Sequence, residues 1–361
     1  MRSVSVAAPT LPTYCALEAP LPAQPFPLVE RYRDFRLLGS GAKAEVWECR
    51  DDFTGRRVAS KSLHARLAGD AEEQRLLIRE ARILAGLDHA GIPPLLDLGR
   101  NGRGQPFFTM PIIPGPTLRK ILDMLRTQLR STELTSTDQR SRAQGQWPLE
   151  RLLGLIVAAA DALAHAHDRG VVHCDVKPEN LLIGRDDSLH LVDWGIAQVP
   201  GEVESAKDSP TASARTERPL RRGSPLYMSP EQALNMKVDP RTDVYALGAV
   251  LYECLTLRPA VRGRSVAEIM RNILQQDPVP PRLAAPERGI SRELEAASLR
   301  ALARSPADRH QTMDELRQEL RECRLDLLVN FERTAPPWVR SPLEAPPADW
   351  WDLQATDAAA C

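Results

Sequence analysis

From Phe35 onward, short runs alternate apolar and polar residues: FRLLGSGAKAEVWECRDD, then RRVASKSL, then QPFFTMPII, bounded by turn residues such as Asp52, Gly55 and Gly104. They predict the strands of a small antiparallel sheet. Between the second and third runs, AEEQRLLIREARILAGL places Leu76, Leu77, Glu80, Ile83, Leu84 and Leu87 on one face of a helix. After Leu118 the period becomes helical, most clearly over Pro148 to Asp168, where Leu152, Ile156, Ala160, Leu163 and His167 share a face. Two segments, Thr127 to Gln146 and Gly201 to Arg222, are rich in Ser, Thr and charge and predict mobile loops. The prolines at 9, 12, 20, 22, 25 and 27 predict an extended, disordered leader over residues 1–30. The tail from Phe331 combines Pro336, Pro337, Pro342, Pro346 and Pro347 with Trp338, Trp350 and Trp351. Such a tail is either solvated or a docking element. No internal repeat is visible.

At 361 residues the chain is long enough for two lobes with cores of their own. Lys plus Arg at 47 against Asp plus Glu at 48 leaves no basic field for nucleic acid or an anionic membrane. A charged ligand must therefore be met locally. The six cysteines are scattered without a CxxC pair, which predicts neither a zinc knuckle nor a disulfide framework and fits a reduced, cytoplasmic setting. The apolar run Leu152 to Ala160 is interrupted by Gly154 and ends at Asp161, too short for a membrane span. No apolar stretch follows Arg2 as a secretory signal requires.

Three stretches carry chemistry. Leu38 to Val46, LGSGAKAEV, has glycines at Gly39 and Gly41 around Ser40, which let a strand-turn-strand backbone approach phosphate oxygens with its amides. An ordinary hairpin turn is the alternative for this stretch alone. Val58-Ala59-Ser60-Lys61 ends an apolar strand on a lysine, which is costly unless an anion or carboxylate receives it. Glu80 offers such a partner. His173 to Asn180, HCDVKPEN, sets an acid, a base and a carboxamide within a few residues, directly after Val171-Val172.

With these residues in order, followed by Asp193-Trp194-Gly195, Gly223-Ser224-Pro225, Ser229-Pro230-Glu231, Asp243 and Arg309, the chain resembles the eukaryotic-type (Hanks-type) serine/threonine protein kinases, in the bacterial style, over about residues 31 to 325. The resemblance implies an α+β, bilobal protein kinase fold. Its N-lobe, 31–113, is a small antiparallel sheet with one main helix. Its larger, mainly helical C-lobe, 114–325, carries a polar insert at about 127–146, and a Pro/Trp-rich tail follows over 326–361.

The resemblance also assigns roles. Asp175 accepts or orients the substrate hydroxyl, and Lys177 stabilises the γ-phosphate. Asn180 and Asp193 hold Mg2+ through oxygen, while Lys61, directed by Glu80, grips the ATP phosphates over the loop of Gly39, Ser40 and Gly41. Leu38, Val46, Ala59, Met110 and Leu182 wall the adenine site. Pro111 still supplies a carbonyl there, and the Ile113 amide a donor. His173 is a packed residue in this scheme, stacking with Trp194, Leu84 and Leu95. The indole N–H of Trp194 would want an acceptor. Asp243 anchors the loop backbone, and Glu231 pairs with Arg309.

Cys174 stands where many regulated relatives carry an arginine that grips a phosphorylated activation loop, and a thiol cannot do that. The enzyme is therefore expected to be of the non-RD type, with Cys174 packing as a small hydrophobe. GSPLYMSPEQ resembles the platform for a protein substrate, and Lys177 favours serine or threonine acceptors. The expected activity is ATP- and Mg-dependent phosphoryl transfer to Ser/Thr of proteins, in cytoplasmic signalling, with no nucleic-acid partner, no membrane span and a docking partner for the tail. A catalytically silent pseudokinase scaffold is the alternative. A small-molecule kinase is disfavoured by the GSPLYMSPEQ segment.

Overall fold

The computed structural model describes residues 31–132, 147–199 and 224–334. The expected leader, most of the polar insert, the Gly201–Arg222 segment and the tail beyond Thr334 lie outside the described residues. Two compact units divide the chain, one containing residues up to 87 with 95–110, the other residues 88–94 with 111 onward. Residues 88–94 thus belong with the second unit although they precede the last strands of the first.

The first unit is a five-stranded antiparallel sheet of β1 (Tyr32–Ser40), β2 (Ala44–Asp51), β3 (Arg57–Leu63), β4 (Asp97–Arg100) and β5 (Pro106–Met110), in the order β1-β2-β3-β5-β4. Alternation along the strands buries Tyr32, Cys49, Val58 and Phe107 together on one face. Tyr32 and Phe107 meet edge to face at 5.6 Å. Helix α1 (Ala71–Ala85) starts at Asp70, whose side chain accepts from the amides of Glu72 and Glu73, and it stops at Gly86. Its buried face is Leu77, Ile78, Glu80, Ala81, Ile83 and Leu84. Leu76, expected on that face, is only half-buried, and Ile78 takes its place. Strand β4 was not foreseen, because Asp97–Arg100 is four residues with a glycine and shows no apolar alternation.

The second unit holds the remaining eight helices of the described residues: α2 (Leu118–Thr132), α3 (Leu149–Asp168), α4 (Pro230–Ala233), α5 (Arg241–Thr256), α6 (Val266–Gln275), α7 (Pro281–Ala284), α8 (Arg292–Ala301) and α9 (Met313–Thr334). A two-stranded hairpin of β6 (Leu181–Ile183) and β7 (Leu189–Leu191) joins them. Helix α5 is apolar nearly all round and buried along most of its length, so it forms the centre of this unit. Gly248 lets α8 approach it: a Cβ there would lie 2.6 Å from the Ala301 Cβ. Helix α3 buries Leu152, Ile156, Ala160 and Leu163 and packs against α5 and α9. The predicted loop at Thr127 begins too early, because α2 continues through Thr132. The helix α9 likewise runs to Thr334, past the expected domain end at residue 325. Among the described residues no helix is long and apolar enough to cross a membrane.

Candidate active site

In the first unit the site is built from β1, β2, β3 and α1. The glycine stretch is a tight hairpin, with Gly39 opposite Val46, Ser40 opposite Glu45, and Gly41 N donating to Ala44 O at 2.9 Å. Neither glycine has a positive φ, and a Cβ added at Gly39 would meet nothing within 4 Å. The space beside this backbone is thus open on the protein side. On β3, Lys61 pairs with Val46 of β2 and Phe108 of β5, which holds its backbone rigidly. Its Nζ donates to Glu80 Oε1 at 2.7 Å, and both side chains are largely withdrawn from water. Ala59 is buried and pairs with Met110, while Leu38 is partly exposed.

In the second unit, α3 leads through Val171 and Val172 into the loop His173–Asn180, which closes in a single 3-10 turn over Pro178–Asn180 before β6. Asp243, fully buried on α5, fixes the loop's entry: Oδ2 accepts from His173 N at 2.8 Å and Oδ1 from Cys174 N at 2.9 Å. His167 Nε2 lies 2.8 Å from the same Oδ2. Both oxygens of a buried carboxylate are thereby used, as its burial demands.

Asp175 lies just beyond that anchor. Lys177 Nζ donates to its Oδ2 at 2.7 Å, Asn180 Nδ2 to its backbone O at 2.8 Å and to Oδ2 at 3.3 Å, and Ser224 N to Oδ1 at 3.2 Å. Asp175 and Lys177 side chains remain 10% and 17% exposed. Because Asn180 spends its amide nitrogen on Asp175, its Oδ1 is the atom left for a ligand, a hard oxygen that suits Mg2+. Val192 N donates to Asn180 O at 3.0 Å, which places the exposed Asp193 one residue from that backbone contact. Asp193 has φ of 67°, a left-handed conformation unusual for a non-glycine residue. An amide oxygen and a carboxylate presented from adjoining backbone form an oxygen donor set that fits a divalent cation.

Asp175 N donates to His173 Nδ1 at 3.2 Å, so the ring proton sits on Nε2, which donates to Val192 O at 3.2 Å. His173 meets Trp194 edge to face at 4.6 Å, and both are fully buried. The Trp194 indole nitrogen finds no acceptor among the described residues, contrary to expectation. Cys174, also left-handed at φ 67°, packs with Val172, Val238 and Ile196. Its carbonyl accepts from Gln232 Nε2 at 2.8 Å, tying the loop to α4.

Of the remaining predicted residues, Leu182 lies on β6 opposite His190 and Ile113 follows β5, both in the second unit. Glu231 and Arg309 form a two-pronged pair at 2.8 Å on each side, with 8% and 0% side-chain exposure. Burial works to raise the Glu231 carboxyl, but Arg309 outweighs it and holds the group below the ordinary glutamate range.

One cluster had no sequence signal. Arg119 on α2 donates to Glu179 of the loop at 2.8 Å and to Glu253 of α5 at 2.7 Å. Arg126 also binds Glu253, and Tyr227 donates to its Oε2 at 2.6 Å. Burial pushes the Glu253 carboxyl up, yet Arg119, Tyr227 and Arg126 together bring it below its usual range. Arg119 and Glu253 are 134 residues apart in the chain, and Tyr227 and Glu253 are 26 apart, so neither short spacing nor periodicity could have paired them.

The chain belongs to the protein kinase domain family, whose pattern it matches over residues 32–320. It is 33% identical over 303 residues to a probable serine/threonine-protein kinase of Streptomyces coelicolor, covering 83% of this chain and 41% of that protein. To the serine/threonine-protein kinase PknB of Mycobacterium tuberculosis it is 34% identical over 299 residues, covering 82% and 43%. The serine/threonine-protein kinase PknD of Chlamydia trachomatis is 32% identical over 306 residues, covering 81% and 31%. The chain therefore spans less than half the length of these relatives.

Proposed function

We propose that the chain transfers the γ-phosphoryl group of ATP to serine or threonine hydroxyls of protein substrates, with Mg2+, in cytoplasmic signalling. The observation that carries the reading is Asp175, a carboxylate held by Lys177, Asn180 and the Ser224 amide yet still reachable from solvent. Asp175 orients the acceptor hydroxyl and takes its proton. Lys177, 2.7 Å from Asp175, supplies positive charge where negative charge develops on the transferring group. Lys61, directed by Glu80 at 2.7 Å, binds the α and β phosphates, and the backbone of Gly39, Ser40 and Gly41 covers them. Leu38, Val46, Ala59, Met110 and Leu182 hold the adenine, with the Ile113 amide as donor. Asn180 Oδ1 and Asp193 would hold Mg2+, which when bound neutralises phosphate oxygens.

The enzyme is of the non-RD type: at position 174 an apolar cluster with Val172, Val238 and Ile196 stands in place of a phosphate-gripping guanidinium. Activation-loop phosphorylation is then dispensable through that contact, and Thr211, Ser213 and Thr216 replaced together by alanine leave turnover unchanged. The Trp-bearing C-terminal segment serves as a docking element.

The decisive assay supplies ATP, Mg2+ and a generic Ser/Thr-containing protein. Phosphoserine or phosphothreonine appears with the wild type and is absent with Asp175→Asn. Equal, background-level transfer by both would establish the silent scaffold instead.

A further inference from the structure

A cavity of the second unit lies away from Asp175. It is a groove of about 730 Å³ between the Arg258–Arg264 loop, α6 and the segment leading into α7. Tyr252 of α5 fixes one wall by donating to Val279 O at 2.8 Å, and Arg258 fixes the other by donating to Ala284 O at 2.7 Å. The groove is therefore built rather than a gap between loose loops. Its apolar lining is open to water: Val279 is 56% and Leu283 74% exposed.

Its polar groups are specific in kind. Arg262 O accepts from Asn272 Nδ2 at 2.7 Å, and Arg264 N donates to Glu268 at 2.7 Å. The guanidinium groups of Arg262 and Arg264 make no ion pair among the described residues, whereas the acidic Asp277 is paired with Arg304. Asn272 is only 7% exposed, and with its nitrogen committed to Arg262 its Oδ1 is a buried acceptor with no donor among the described residues. An occupant that satisfies the groove brings an apolar surface, an N–H donor and carboxylates.

The chain carries that combination. Asp349-Trp350-Trp351-Asp352-Leu353 joins two indole N–H donors and three large apolar side chains to two carboxylates. The segment around it is acidic, since residues 335–361 contain Glu344, Asp349, Asp352 and Asp357 against Arg340 alone. About 15 residues separate Thr334 from Asp349, an extended reach of about 50 Å, which is comparable with the width of a unit of this size.

We propose that the groove binds the chain's own Asp349–Leu353 stretch, a tryptophan entering over Val279 and Leu283 toward Asn272 while the aspartates meet Arg262 and Arg264. This locates the docking element proposed above and does not depend on catalysis.

Hydrogen exchange of the full-length protein tests it. Backbone amides of residues 260–264 and 282–284 are expected to exchange about tenfold faster in Trp350→Ala/Trp351→Ala than in the wild type. Arg262→Glu/Arg264→Glu should do the same, and adding Asp349→Arg/Asp352→Arg to that variant should restore protection. Unchanged exchange in the tryptophan variant overturns the proposal. Protection that rises with protein concentration also overturns it, since a second copy would then be the source. If removing residues 335–361 lowers the unfolding temperature while groove exchange stays flat, docking occurs elsewhere and the groove assignment alone falls.

Discussion

Two carboxylates from neighbouring parts of the second unit meet cations at about the same distance and do opposite work. Glu231 meets Arg309 in a pair with hardly any solvent access, and every donor of the guanidinium that matters is used: two on Glu231, others on the carbonyls of Ala303, Arg241 and Arg304. Asp175 meets Lys177 at 2.7 Å, and although the two carboxylates are almost equally exposed, at 10% and 8%, the Lys177 cation keeps 17% exposure where Arg309 has none. A saturated, sealed pair offers nothing to a substrate and can only hold the fold. A pair whose cation still reaches water leaves room for a substrate, while Asp243 anchors the amides of the two preceding residues, His173 and Cys174, and so fixes the position of Asp175. The two kinds of ion pair are told apart by the partners left over, and distance alone does not distinguish them.

Substitutions on each side of the comparison should separate activity from stability. After Asp175→Asn, the largest effect is expected from Lys61→Met, which removes the charge held by Glu80 and should slow phosphoryl transfer by about 10²–10³-fold. Steady-state rates with ATP and Mg2+ read it, and a loss under threefold would place Lys61 outside the site. On the sealed side, Arg309→Ala strands the Glu231 carboxylate and should cost about 3–5 kcal/mol, seen as a lower urea midpoint. An unchanged midpoint would mean that the cavity rehydrates at no expense.

A smaller effect follows from pH. Glu231 and Glu253 are both held below the ordinary glutamate value of 4.5 in the folded protein. The unfolded chain therefore takes up protons first, so this part of the stability is complete above that value and is lost as pH falls through it toward the folded values. Urea midpoints measured between about pH 6 and 3 should fall with acid, and less steeply in Glu231→Gln. Equal slopes would show that the pair is not linked to protonation. The smallest effect is expected at Cys174, where alanine removes one buried sulfur from an apolar cluster. Cys174→Ala should cost about 1 kcal/mol and leave turnover within twofold. A collapse of turnover would give the thiol a role beyond packing.

How much of this was legible beforehand depends on where the information is stored along the chain. The HCDVKPEN loop could be read because its polar groups are within eight residues, and Lys61 because a lysine ending an apolar strand demands a partner; Glu80 on the buried face of α1 supplied one. Strand β4 could not, since DLGR owes its conformation to pairing with β5 rather than to its own side chains. The polar end of α2 looked like loop because its first turns, packed in the core, carry it onward. Arg119, Arg126, Tyr227 and Glu253 meet only after α2, the Pro225–Tyr227 turn and α5 have been assembled, so no local pattern announces them. That no acceptor among the described residues meets the Trp194 indole ran against a sound rule about buried indoles, and its packing on His173 was foreseen.

The most direct test measures two quantities on one preparation of Asp175→Asn, the rate of phosphate transfer from ATP to a serine-containing protein and the urea unfolding midpoint. The account predicts transfer lower by about 10²–10⁴-fold with a midpoint unchanged within error. Transfer near the wild-type rate, or a midpoint reduced as far as in Arg309→Ala, would contradict it.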